Sequence, residues 1–174
     1  MNKLTLDLIK QFESLHDGDL KKVGLQPKMD PVGIWTCGYG RAMIDPKTKQ
    51  FLKGAANKAY AESLATIKTE SEALVALDED LQKYATYAAN ALGICDWGIL
   101  NENQRGALTS FVYNCGTGKP KFKIFENIVK YNSGKMTKKE LQTYWESSVI
   151  KGGGVVLKGL VRRRVAEAKL FFTK

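Results

Sequence analysis

Residues 55–92 contain neither glycine nor proline, and Leu64, Ile67, Leu74, Leu77, Leu81, Tyr84 and Ala88 keep a helical stripe across them. A stretch of that length and period commits this part of the chain to helix. We read it as two helices, the second a long connector over about 71–92.

The flanking segments fall into place around it. Leu4, Leu8, Phe12 and Leu15 recur at helical spacing, and Gly18 is read as the stop. Gly18 to Pro31, with charges, glycines and prolines, reads as loop. A hairpin over about 29–53 follows: Ile34, Trp35, Thr36, Cys37 and Tyr39 form a β-rich run, Asp45-Pro46-Lys47 turns it, and Gln50-Phe51-Leu52 returns. Further on, Asn101 with Gln104 and Thr137 with Glu140 have the spacing of capping boxes. Phe122 to Tyr131 and Leu160 to Phe172 read as further helices. The expectation is a single domain over 1–174, α+β but mostly α. It has a small N-terminal lobe (about 1–70) with the β-hairpin, the connecting helix, and a helical C-terminal lobe (about 93–174).

Charge and cysteines narrow the partners. Lys plus Arg is 27 against 18 for Asp plus Glu, a net +9. That field favours a polyanion: nucleic acid, anionic membrane or bacterial wall polymer. Cys37, Cys95 and Cys115 fit no zinc spacing, and His16 is the only histidine. The expectation is therefore three reduced thiols, no metal and no cofactor. No apolar run reaches membrane-spanning length, and Asp7 interrupts any signal-peptide core. The chain is expected to stay in the cytoplasm where it is made until released to a wall.

Four elements could carry chemistry. Glu13 falls four residues after Ile9, at the edge of the first apolar stripe and in the last turn of that helix. Partial burial beside the negative helix end suits a proton donor. In Asp30-Pro31-Val32-Gly33-Ile34-Trp35-Thr36-Cys37-Gly38-Tyr39-Gly40, Asp30 precedes a turn and Thr36 lies on the strand after it. A glycosidase needs a second carboxylate, and a hydroxyl beside it can help hold water. Taken alone, Asp-Pro-x-Gly is an ordinary turn. Gln104 opens a helix whose Ala107, Leu108 and Phe111 form a packing face, and Asn114 and Gly116 look like its end. Last, Arg162-Arg163-Arg164 precede Glu167 on what reads as a solvated basic face, with Glu167 pairing an arginine.

In this order the four elements resemble the phage-type lysozymes, the endolysin family that includes the lysozyme of T-even phages. The resemblance runs from Phe12-Glu13 to the C-terminal helix. It implies a two-lobed lysozyme-like fold and hydrolysis of the β-1,4 bond between N-acetylmuramic acid and N-acetylglucosamine in peptidoglycan, causing host lysis. It implies Glu13 as the catalytic acid, Asp30 and Thr36 as the catalytic pair that handles water, and Gln104 as a substrate-binding residue. Two departures stand out. The family usually places its Asp nine residues after the Glu, whereas Asp30 is seventeen after Glu13. We read an eight-residue insertion between Gly18 and Met29, which a surface loop tolerates. Asp17 and Asp19 become rivals for the second carboxylate, and Asp30 is preferred because its spacing to Thr36 is intact. The other departure is Arg41, where relatives carry His.

Two other functions compete. A lytic transglycosylase would cleave the same bond without water, and a basic nucleic-acid-binding protein would use the +9 charge and Arg162-Arg163-Arg164. The second lacks any nucleic-acid motif, and Trp35, Trp97 and Trp145 are scattered. The expected partner is peptidoglycan, with the chain monomeric and no nucleic acid bound. Leu160, Val161, Val165, Ala168 and Phe172 can also form an apolar face with Lys158, Arg162, Arg163 and Lys169 outside it. Such a helix either packs in the core or touches anionic outer-membrane lipid.

Overall fold

The computed structural model describes residues 2–117 and 123–174. The chain is α+β and mostly helical, and it packs as two compact units, residues 13–80 and residues 1–12 with 81–174. Among the described residues no helix is long and apolar enough to cross a membrane.

Residues 13–80 carry a three-stranded antiparallel sheet in the order β1 (Lys28–Met29), β2 (Trp35–Cys37), β3 (Arg41–Ala42). Strand β1 falls where the stretch read as loop meets the start of the hairpin expected over about 29–53; it pairs Lys28 with Thr36 and Met29 with Trp35. The return past Asp45 is present: Ile44 bridges Phe51, and Asp45 N donates to Gln50 O at 2.9 Å. Helix α2 (Lys58–Leu64) and the start of α3 (Glu70–Leu92) follow. The break between them is made by Thr69, whose Oγ1 accepts from Glu72 N at 3.2 Å, while Glu72 Oε2 accepts from Lys68 N and Thr69 N at 2.7 and 3.0 Å. This is a reciprocal cap, and the extended residues before it bury Ile67.

In the other unit, α5 (Glu102–Cys115) is buried from Gly106 to Val112, and α1 (Lys3–Phe12) and α8 (Lys158–Phe171) pack against it. A β-carbon on Gly106 would meet Thr5 Oγ1 at 1.8 Å, so only glycine lets α1 come this close. Helix α1 ends at Phe12, earlier than Gly18, and it buries Thr5, Leu8 and Ile9. Leu4 is half exposed and Leu15 lies beyond the helix, so the apolar spacing overstated its length. The chain leaves the helix because His16 N is drawn to Gly38 O at 2.7 Å. Helices α4 (Ile94–Ile99), α6 (Lys123–Asn132) and α7 (Lys138–Ser147) complete the unit. A short hairpin of β4 (Lys151–Gly152) and β5 (Val155–Val156) also belongs to it. Phe122, read as the start of α6, lies outside the described residues. The capping boxes Asn101–Gln104 and Thr137–Glu140 are both present.

The C-terminal helix departs from its expected faces. Arg163, Arg164 and Glu167 are buried, whereas Val165 is exposed. Arg163 Nε lies 3.2 Å from Glu167 Oε1 and Arg164 NH2 lies 2.9 Å from it. Arg164 Nε stands 2.8 Å from Glu167 Oε2 with its N–H misaligned, a charge contact rather than a directed hydrogen bond. Ser110 Oγ and Trp145 Nε1 also donate to the Glu167 carboxylate, at 2.8 and 3.3 Å. Two arginines share the one carboxylate, and Arg164 also donates to Asn114 Oδ1 at 2.9 Å, so the motif is an interior ionic cluster rather than a solvated face. Two of the three arginines that supported a nucleic-acid reading are thus withdrawn from the surface.

Candidate active site

Glu13 is the first residue past α1 and is half-buried. Its Oε2 lies 3.6 Å from where a β-carbon on Gly40 would stand. Gly38 and Gly40 take φ of +57° and +87°, which turns the chain from β2 to β3. Between them Tyr39 is buried, and its hydroxyl donates to Glu70 Oε1 at 2.9 Å.

Thr36 sits at the middle of β2, buried, and its Oγ1 donates to Lys28 O across the sheet at 2.8 Å. Asp30 heads the turn between β1 and β2. Its Oδ1 accepts from Val32 N at 2.9 Å and Ile34 N at 2.7 Å, while its backbone N donates to Ile34 O. This is an Asx-type turn whose second carboxylate oxygen takes no hydrogen bond from the described residues. The turn therefore fixes the direction of Asp30 and leaves one oxygen for chemistry.

His16 joins these groups. It bridges Gly38 in antiparallel fashion, and its Nδ1 lies 2.6 Å from Thr36 Oγ1. Burial holds its pKa below the ordinary 6.5, Lys28 pushes the same way, and Glu13 and Asp30 both pull against them. One imbedded ring thus feels both candidate carboxylates while it bonds to the candidate hydroxyl. His16 is a site residue beyond the four expected from the sequence. The clue in sequence was position: His16 follows Glu13 by three residues, where the chain must turn back to the sheet.

The rival carboxylates are engaged in the loop. Asp17 Oδ1 accepts from Asp19 N and Gln26 N at 3.2 and 3.3 Å, and Asp19 Oδ1 accepts from Lys21 N at 3.2 Å. Gly18 is needed there because a β-carbon would fall 2.0 Å from Pro27 O. Arg41 binds the first half of α3, with Nε on Asp80 Oδ2 at 2.7 Å, NH2 on Glu79 Oε2 at 3.0 Å, and NH2 on Ala76 O. It anchors the sheet to that helix.

Gln104 belongs to the other unit. Its Oε1 accepts from Asn101 N and its backbone N donates to Asn101 Oδ1, both at 2.9 Å, so its side chain closes the cap of α5. Glu13, Asp30, Thr36 and His16 all lie within residues 13–80. Two carboxylates in the same unit as a hydroxyl bonded to an imidazole can run acid–base chemistry on a bound substrate.

Fold and site together define an α+β protein of lysozyme-like class. The chain belongs to the phage lysozyme family, whose model, described as Phage lysozyme, matches residues 19–167. Asp30, Thr36 and Gln104 fall inside that stretch and Glu13 lies ahead of it. The chain is similar to an endolysin of Bacillus phage PZA, 28% identical over 167 residues that make up 95% of this chain and 52% of that one. It spans about half the length of the curated relatives it matches. Among solved structures it resembles the endolysin from Escherichia coli O157:H7 phage FAHEc1 (26% identity, TM-score 0.61, covering 98% of this chain and 92% of that one). The muramidase domain of SpmX from Asticaccaulis excentricus shares the fold (24% identity, TM-score 0.61, 99% and 97% covered).

Proposed function

We propose that the protein is an endolysin that hydrolyses the β-1,4 bond between N-acetylmuramic acid and N-acetylglucosamine in peptidoglycan and so lyses its host. One observation carries this reading: in a chain of the phage lysozyme family, the turn before β2 uses one oxygen of Asp30 and leaves the other open, next to the strand pair that carries Thr36, whose hydroxyl is bonded to His16. Glu13 gives its proton to the glycosidic oxygen as the bond to the anomeric carbon breaks. Water attacks that carbon from the opposite face and passes a proton to the uncommitted oxygen of Asp30, with Thr36 holding the water. Asp30 then releases its proton to solvent and Glu13 takes one back. Gln104 is assigned a contact with the glycan through the amide nitrogen that its cap leaves over.

The test is digestion of purified peptidoglycan. New reducing ends are expected from the wild type, and Glu13→Gln, folded by circular dichroism, should release almost none. Anhydro ends would make the protein a transglycosylase, and no cleavage, or a fully active Glu13→Gln, would overturn the reading.

A further inference from the structure

We infer that His16 is a positioning residue for Thr36, holding that hydroxyl as a hydrogen-bond acceptor toward the reacting water. The inference rests on the role given to Thr36 above. A threonine hydroxyl has one proton and two lone pairs. Thr36 Oγ1 lies 2.8 Å from Lys28 O, and a carbonyl can only accept, so the proton is committed there. The contact of 2.6 Å with His16 Nδ1 then has to be donated by the ring. The bond therefore sets the tautomer: the neutral imidazole carries its proton on Nδ1 and is bare at Nε2.

The backbone makes this arrangement durable. His16 N donates to Gly38 O at 2.7 Å, which seats His16 beside the end of β2. Gly38 lies just past β2, with only Cys37 between it and Thr36, so the tether falls next to that hydroxyl. The ring therefore reaches Thr36 from a tethered backbone. Protonating the ring adds a proton at Nε2 and keeps the one at Nδ1, so the grip on Thr36 persists in both charge states.

The consequence is chemical. One lone pair of Thr36 remains. A water between Thr36 and Asp30 faces two acceptors, donates one hydrogen bond to each, and turns a lone pair to the anomeric carbon; only the proton on the Asp30 side is transferred as the new bond forms. Were Thr36 free to donate, it would draw on the electrons that make the attack.

His16 is the chain's only histidine, so one pair of ring nitrogens appears in a ¹⁵N-labelled spectrum. The wild type near neutral pH should show a protonated Nδ1 and a bare Nε2, and Thr36→Val should shift the proton toward Nε2. On peptidoglycan, His16→Phe and His16→Gln should lose about ten- to a hundredfold in kcat with KM little changed. His16→Asn, whose amide nitrogen takes the place of Nδ1, should recover most of the loss. A wild-type ring protonated on Nε2, a fully active His16→Phe, or no advantage of Asn over Phe overturns the inference. The wrong tautomer in an active enzyme sinks this proposal alone. The expected tautomer in a chain that does not cleave peptidoglycan sinks the functional reading, and the role of Thr36 with it.

Discussion

Glu13 Oε2 lies 3.6 Å from the point where a β-carbon on Gly40 would sit. That is ordinary contact distance, so a methyl group would fit beside the carboxylate. The obstacle is the backbone, since Gly40 has φ +87°. Gly40→Ala should cost about 1–2 kcal/mol of stability, read by urea denaturation. An unchanged midpoint would show that the turn relaxes freely.

Asp30→Asn separates the two jobs of that side chain. The amide oxygen can still accept from Val32 N and Ile34 N, so the turn survives, while the other oxygen becomes an amide NH2 that cannot take a proton from water. Turnover on purified wall should fall by about 10²–10⁴-fold with the circular dichroism spectrum unchanged. Asp17→Asn and Asp19→Asn should leave the rate nearly intact, because their acceptor roles are also kept. An essential Asp17 or Asp19 with a dispensable Asp30 would refute the assumed insertion.

Glu167→Gln tests the interior cluster. It leaves Arg163 and Arg164 buried with their compensating charge removed. The expected loss is about 3–5 kcal/mol. Arg162→Ala, at an exposed position of the same helix, should change stability by no more than about 0.5 kcal/mol. Equal denaturation midpoints for the two variants would mean that the cluster contributes nothing.

What could be read from sequence was set by range. The Asn101–Gln104 and Thr137–Glu140 caps, the long α3 and the turn linking Asp30 to Thr36 all depend on residues within a few positions of each other. The Thr5–Gly106 contact that seats α1, and the pairing of His16 with Gly38, join distant residues and have no periodic signature. The same holds for the α8 cluster. A helical wheel sorts Arg163 and Arg164 outward by polarity, and their burial is made tolerable by Glu167 together with distant partners, Ser110 fifty-seven positions from Glu167 and Asn114 fifty from Arg164. Strand β1 escaped notice because Lys28 and Met29 are exposed and too few to alternate.

His16 also offers a pH signature. Burial and Lys28 depress its pKa below 6.5, against Glu13 and Asp30. The folded state therefore prefers the neutral ring, and the unfolded chain takes up the proton first as pH falls. Whatever stability His16 provides is complete above 6.5 and is lost between 6.5 and the lower folded value, below which it stays constant. The stability difference between wild type and His16→Asn should accordingly shrink across that window. Titration of the single histidine by NMR should give a midpoint below 6.5, moved up in Lys28→Ala and further down in Glu13→Gln and in Asp30→Asn. A midpoint above 6.5, or one indifferent to both carboxylates, would show that His16 does not stand in the field of Glu13 and Asp30.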